Sequence, residues 1–283
     1  MSRPLSVVIA AHNAEDTLGE QLDALTRQDW PFGGEIIVAD NGSTDRTAAF
    51  AQSYDHPIID IRTVDASAHK GAGFARNCGV LAAQFDNIAF CDADDVVGES
   101  WVTEITRGLD HGPAVGGCLE FTRLNPDWVV GSRGRLVAGE ELPLFDGVFP
   151  VLSSCNLGIR RDTFLDLGGF DLAYVLGEDA ELSLRLHQAA TPTTFLPRAV
   201  VHYRMRSSLR DIFEQARGWG AVQVTLGRSL HGSARPGNRR SRARSWLWLV
   251  AHGHILATRA GRARWAYVAG LRIGAHRGRR LLP

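Results

Sequence analysis

Short apolar runs and amphipathic stretches alternate along the first hundred residues. Residues 5–11 (LSVVIAA) are continuously apolar and rich in β-branched side chains, the pattern of a strand buried on both faces. Within 14–28, Leu18, Leu22 and Leu25 recur at helical spacing. Residues 35–39 predict a second strand, closed by Asp40-Asn41-Gly42-Ser43. Ser43 or Thr44 can cap a helix that runs on to Tyr54. Residues 58–64 and 87–91 predict a third and a fourth strand, with a helix over 71–84 between them. Strand and helix alternating at this pitch predict right-handed βαβ units, hence an α/β fold with a mostly parallel central sheet flanked by helices.

The pattern continues less regularly. It predicts a helix over 101–109, a strand over 114–121 and a short strand over 155–160. A short helix over 161–167 ends at Gly168-Gly169. Then come a helix over 178–189, a short strand within 193–202 and a long helix over 207–230. Residues 122–150 show no clear period and carry Pro126, Gly131, Gly134, Gly139, Pro143 and Gly147, so a long irregular loop is expected there. Three regions result: a domain over 1–230, an Arg/Gly/Pro-rich linker over 231–244 and a basic helical tail over 245–283. The tail holds two Trp-bearing segments, 246–258 and 265–273, separated by Arg259, Arg262 and Arg264. Neither is long enough to cross a bilayer. Helices lying in the plane of a membrane interface fit them, and so does a helical hairpin packed on the domain or on a second subunit.

Charge sharpens this division. The chain is neutral overall, with 31 basic and 31 acidic residues. From Arg198 onward there are 18 arginines against only Asp211 and Glu214, which leaves 13 basic and 29 acidic residues in the first 197. The tail therefore suits an anionic surface, membrane or nucleic acid. Cys78, Cys91, Cys118 and Cys155 show neither CxxC pairing nor zinc spacing, and read as small buried hydrophobes in a reducing cytosol. The first strand starts almost at once, so no signal peptide is expected. The expected location is cytoplasmic, with peripheral attachment to the inner membrane face through the tail.

The densest candidate chemistry is Cys91-Asp92-Ala93-Asp94-Asp95, at the carboxyl end of the fourth strand. Three carboxylates this close repel one another and are costly to desolvate, which calls for a cation among them. Oxygen-rich sets suit Mg2+ or Mn2+, and such ions commonly accompany phosphate. In open α/β sheets ligands bind outside the carboxyl ends of strands. A solvated polar turn fits the same residues.

Five stretches in order make the chain resemble family 2 glycosyltransferases, inverting enzymes of the GT-A fold, over residues 4–230. They are Val8 to Asn13, then Asp40-Asn41-Gly42-Ser43-Thr44-Asp45, then Gly71 with Ala75-Arg76-Asn77, then Asp92 to Asp95, and Glu178-Asp179 after Gly177. The resemblance implies that the backbone near Ala10, His12 and Asn13 meets a nucleotide base that Asp40 reads. It implies that Gly71 and Arg76 face the nucleotide, and that Asp92 contacts its ribose with Ala93 beside it. Asp94 would ligate a metal bridging the diphosphate, with His202 as a further ligand. Asp179 would be the general base. Asp95, Asn156, Glu178, Arg217 and Trp219 would line the acceptor and sugar side. Asn41 stands where the family usually has a second Asp, and Gly218 where it has a second Arg.

Local readings stay open beside these. His12 fits a surface loop, Ser43 and Asp45 a helix-capping turn, Glu178-Asp179 the acidic first turn of any helix, and His202 a structural role. The implied reaction is metal-dependent transfer of a sugar, with Mn2+ or Mg2+, from a nucleotide-sugar donor, UDP-linked by preference. The acceptor would be a carbohydrate, a lipid-linked or a small-molecule hydroxyl. Nucleic acid is not expected as a partner. Two other classes compete. A nucleotidyltransferase would carry a cation just after the first strand, and residues 12–16 offer none. A non-catalytic basic protein would bind lipid or nucleic acid through residues 198–283.

Overall fold

The computed structural model describes residues 3–133, 141–231 and 246–280. Residues 232–244 of the expected linker, and Gly134 and Gly139 of the expected loop, lie outside them, while His231 is helical. The chain falls into two compact units, Met1–Glu120 with Ala138–Tyr203, and Phe121–Val137 with Arg204–Pro283.

The first unit is built on one eight-stranded sheet, ordered β3-β2-β1-β4-β9-β6-β10-β5. Its strands are β1 (Leu5–Ala11), β2 (Gly34–Asp40), β3 (Asp60–Asp65), β4 (Asn87–Asp92), β5 (Val96–Val97), β6 (Ala114–Glu120), β9 (Leu157–Arg160) and β10 (Thr193–His202). β1, β2, β3 and β4 pair in parallel, as do β6 and β10. β9 runs antiparallel to both β4 and β6, and β5 antiparallel to β10. The sheet is thus mostly parallel, with two reversed strands. Alternation assigns its two faces. Leu5, Val7, Ile9 and Ala11 pack on one side with Leu18, Leu22, Leu25, Trp101 and Ile105, from α1 (Leu18–Thr26) and α4 (Trp101–His111). Val8 and Phe90 turn to the other, against Val80, Phe164 and Leu182 of α3 (Ala72–Ala82), α6 (Arg161–Asp166) and α7 (Glu178–Gln188). α2 (Thr47–Ser53) joins the first face through Ala51.

Three expectations change. The loop over 122–150 contains a helix, α5 (Asp127–Ser132), and a two-residue hairpin of β7 (Leu144–Phe145) and β8 (Phe149–Pro150). Elements of two to six residues are too short to show a period. The strand within 193–202 occupies the whole stretch, with its register shifted between Leu196 and Val200, where Pro197 has no N–H to give the ladder. In the tail, 246–251 are helical and Gly253–Ala257 form a 3-10 turn, but the arginines at 259, 262 and 264 do not separate two segments. They lie inside one helix, α9 (Arg259–Arg280), because arginine is a good helix former and these side chains point outward. None of the four cysteines forms a disulfide. Cys91 and Cys155 are buried as expected, while Cys78 and Cys118 are half-buried.

The second unit pairs α8 (Leu209–His231) with α9 and α5. A Cβ at Gly220, Gly270 or Gly274 would collide with a backbone carbonyl of the facing helix, so glycine lets the two long helices touch. Arg133 stacks over Tyr267 at 4.4 Å and Arg259 over Trp128 at 4.0 Å.

In the first unit the same close approach sets α3 on β1. A Cβ on Gly79 would collide with the Val8 side chain in the middle of the sheet. Gly79→Ala is therefore expected to cost about 1–3 kcal/mol by overpacking, measured as a lowered urea midpoint with unchanged slope. Full stability of that variant would show that α3 does not lie this close.

Candidate active site at the carboxyl ends of the strands

β1, β2 and β4 end side by side. Register places Ala10 between Ala39 and Asp92, and Ala11 beside Asp40. The loops that leave these strands are laced together. Asn13 holds a positive φ of 50° and its side-chain oxygen accepts the Thr44 N–H at 2.8 Å, while its own N–H donates to Ser43 Oγ at 3.0 Å. His12 is exposed. Its Nδ1 lies 3.0 Å from the Asn41 carbonyl, which can only accept, so that nitrogen carries the proton. Asp40, half-buried, accepts the Ser43 N–H in a turn.

Asn41 has a role that the sequence did not reveal. Its amide nitrogen donates to the carbonyls of Ala66 and His69, and its oxygen accepts the Gly71 N–H at 2.8 Å. One side chain thus pins the loop that delivers α3. An aspartate cannot do this, because a carboxylate has no proton to offer two carbonyls. Gly71 enters α3 at φ 126°, a conformation that suits glycine.

The acidic segment after β4 is bound from below. Gln21, fully buried, donates to the Asp92 carbonyl and accepts the Val97 N–H. Arg76 is 3% exposed and its two terminal nitrogens bond Asp92 Oδ1 at 2.5 Å and Glu178 Oε1 at 2.7 Å. Burial alone would favour loss of its proton, yet the two carboxylates hold its pKa above the ordinary value. Its Nε has no partner. Glu178 opens α7, entered through Gly177 in the left-handed region at φ 79°. Asp179 follows, 9% exposed, with Oδ2 accepting the Ser154 N–H at 3.3 Å. Burial, then the neighbouring Glu178 charge, pushes the Asp179 carboxyl up to about 6.

Oxygens of Asp92 and Asp95 and the sulfur of Cys155 lie within 4.8 Å of one another. The carboxylates suit a hard divalent cation. The thiol does not, since burial and the nearby Asp95 and Asp92 charges push its pKa well up. Asp94 is half-buried on the same turn and Ala93 is buried. At the end of β10, His202 Nδ1 meets Glu120 Oε2 at 2.8 Å. Metal-binding histidines are commonly oriented by such a carboxylate on the other ring nitrogen. Next to it, the Tyr203 hydroxyl is pushed up by burial and by Cys155, Asp95, Asp92 and Asp94. Tyr203 is thus a neighbour of the acidic turn, and Glu120 a partner of His202, to which no motif pointed. Adjacency to His202 along the strand was the one signal for Tyr203.

Asn156, expected at the sugar pocket, is 1% exposed. Its amide bonds Trp101, Cys118 and Ala199 and ties β6 to β10. Arg217 and Trp219 lie on α8 in the second unit, both half-buried, with Arg217 paired to Glu214.

Comparison with known proteins adds a family. The model described as glycosyl transferase family 2 matches residues 6–168. The chain is 26% identical over 229 residues to glycosyltransferase AglE of Haloferax volcanii, covering 78% of this chain and 74% of that protein. It is 27% identical over 230 residues to the probable glycosyltransferase YdaM of Bacillus subtilis, covering 76% and 54%. To the validoxylamine A glucosyltransferase of Streptomyces hygroscopicus it is 29% identical over 223 residues, covering 67% and 49%. It thus spans about half the length of the last two. Two solved structures share the fold at 18% identity. One is the mannosyltransferase PcManGT of Pyrobaculum calidifontis in complex with GDP-Man and Mn2+, with a TM-score of 0.65 over 98% of this chain and 87% of that one. The other is residues 1–349 of S. aureus TarS in complex with UDP-GlcNAc, at 0.56 over 98% and 92%.

Removing one partner from a buried ion pair leaves the other charge stranded, at about 3–5 kcal/mol. Arg76→Met is expected to lose about that much, read as a drop in chemical-denaturation free energy at neutral pH. A loss below about 1 kcal/mol would mean that Asp92 and Glu178 are solvated rather than held.

Proposed function

The chain belongs to glycosyl transferase family 2 with the GT-A fold, and from that premise we propose that it moves a sugar from a nucleotide diphosphate sugar to an acceptor hydroxyl with inversion. The observation that carries this reading is the Arg76 bridge. It ties the end of β4, where the diphosphate would lie, to the first turn of α7, where a buried carboxyl has its proton affinity raised.

In this reading Asp40 and the strap of Ala10, His12 and Asn13 take the base, with Gly71 and the Arg76-anchored Asp92 on the ribose side. The donor proposed is a UDP-sugar, the commonest choice in the family. Asp179 accepts the proton of the acceptor hydroxyl while that oxygen forms its bond to the anomeric carbon. The carbon's bond to the diphosphate oxygen breaks on the opposite face, and the electron pair leaves with the nucleoside diphosphate. A base poised near 6 is ionised at neutral pH yet still basic enough to take a proton. Mn2+ or Mg2+, held through Asp94 and His202 with the Asp92 and Asp95 carboxylates close by, would neutralise the charge gathering on the departing diphosphate. Asp95 and Glu178 flank the acceptor side.

Asp179→Asn should keep donor affinity and lose transfer by about 10²–10⁴-fold. The linkage sign separates lost chemistry from lost folding. A carboxyl whose folded pKa is raised favours folding at low pH, and that advantage disappears as pH climbs through about 6. Above it the buried charge is a net cost, so the amide should be at least as stable there as the carboxylate. Transfer by the unmodified chain should rise with pH through about 6 and then level off. Retained transfer in the Asn variant, or a rate that falls across that range, would remove the base assignment.

Asp94→Asn should abolish the Mn2+-dependent part of nucleotide affinity in calorimetric titration. Equal affinity with and without Mn2+ in both proteins would contradict its role as ligand.

A further inference from the structure

Residues 246–280 hold seven arginines, three histidines and no acid. The helical stretch at 246–251 turns Leu249 inward, where it is buried. Trp246, Leu247 and Val250 face solvent at 43%, 62% and 81% exposure, and Leu256 in the following 3-10 turn at 40%. Trp246 and Val250 are four residues apart, so they share one side of the helix, with Leu247 beside them. Trp248 takes no part, because it stacks on His252 at 4.3 Å with Arg264 above it. Beyond the patch, α9 exposes Arg259, Arg262, Arg272 and Arg277. Single exposed apolar side chains are ordinary. Four within eleven residues, followed directly by arginines, are the composition of a segment that seeks an interface.

We propose that residues 246–256 dock on an anionic lipid bilayer, with Trp246, Leu247 and Val250 entering the acyl boundary and the α9 arginines meeting lipid phosphates. Charge and apolarity together choose this occupant. Nucleic acid would engage the arginines but offers no apolar phase for Leu247 and Val250. A second copy docking through its own tail would cover the patch but would bring seven like charges with it. No described helix is long and apolar enough to cross a membrane, so the attachment is in-plane. The inference does not depend on the sugar chemistry.

The test is co-sedimentation of the full chain with vesicles of phosphatidylcholine alone and of phosphatidylcholine mixed with phosphatidylglycerol. The unmodified protein is compared with Leu247→Ser/Val250→Ser and with Arg262→Gln/Arg272→Gln/Arg277→Gln, each checked for an unchanged thermal melt. The expected result is sedimentation with the anionic vesicles only. The serine pair should weaken it by about tenfold or more, and the glutamine set by about fivefold for each arginine that reaches the surface. Three results would overturn the proposal. One is no binding to anionic vesicles. Another is binding that ignores the serine pair, which is charge attraction without docking. The third is a dimer that the serine pair dissolves, or a DNA duplex that outcompetes the vesicles, either of which gives the patch a different occupant.

Discussion

Arg76 lies beneath the carboxyl ends of the strands and divides its terminal nitrogens between Asp92 and Glu178, so β4 and α7 cannot part without stranding a buried charge. The constraint reaches outward in both directions. Through Asp92 it fixes the turn that carries Asp94 and Asp95, which Gln21 braces from the other side. Through Glu178 it fixes the first turn of α7, and with it Asp179. Glu178 in turn is the charge that, after burial, raises the proton affinity of Asp179. One guanidinium thus positions both carboxylate sets and offsets the repulsion between Asp92 and Glu178.

The sheet supplies the frame for this arrangement. β1 is buried on both faces and has neighbours on both sides, which brings three strand ends into line. The loops between them are then tied by side chains with donors and acceptors in the right number. Asn13 binds the Ser43–Thr44 turn, and Asn41 binds the approach to α3. An asparagine at 41 suits that geometry, because two carbonyls face its amide nitrogen.

Much of this was legible in the residues themselves. β1, β2 and β4 announce themselves as apolar runs ended by polar clusters, and the acidic turn after Cys91 needed only its spacing to stand out. What stayed hidden depended on contacts far apart in sequence. Arg76 read as a nucleotide contact because nothing local shows that Glu178, 102 residues on, would meet it. Asn156 read as a pocket residue, yet its amide bonds Trp101, Cys118 and Ala199, which a linear reading cannot bring together. Glu120 and Tyr203 sit at strand ends that pair only across the sheet. In the tail, arginines read as boundaries turned out to lie within a single helix, since charge on an outward face does not interrupt helical hydrogen bonding.

In the proposed function the strand ends bind a nucleoside diphosphate together with a hard divalent cation. Thermal unfolding in the presence of UDP, GDP or dTDP, each with and without Mn2+, tests it most directly. A ligand that binds only the folded state adds about 2.7 kcal/mol at a hundredfold excess over its Kd. One nucleotide is expected to raise the melting temperature, and only when the metal is present. No shift with any of the three, in either condition, would contradict it.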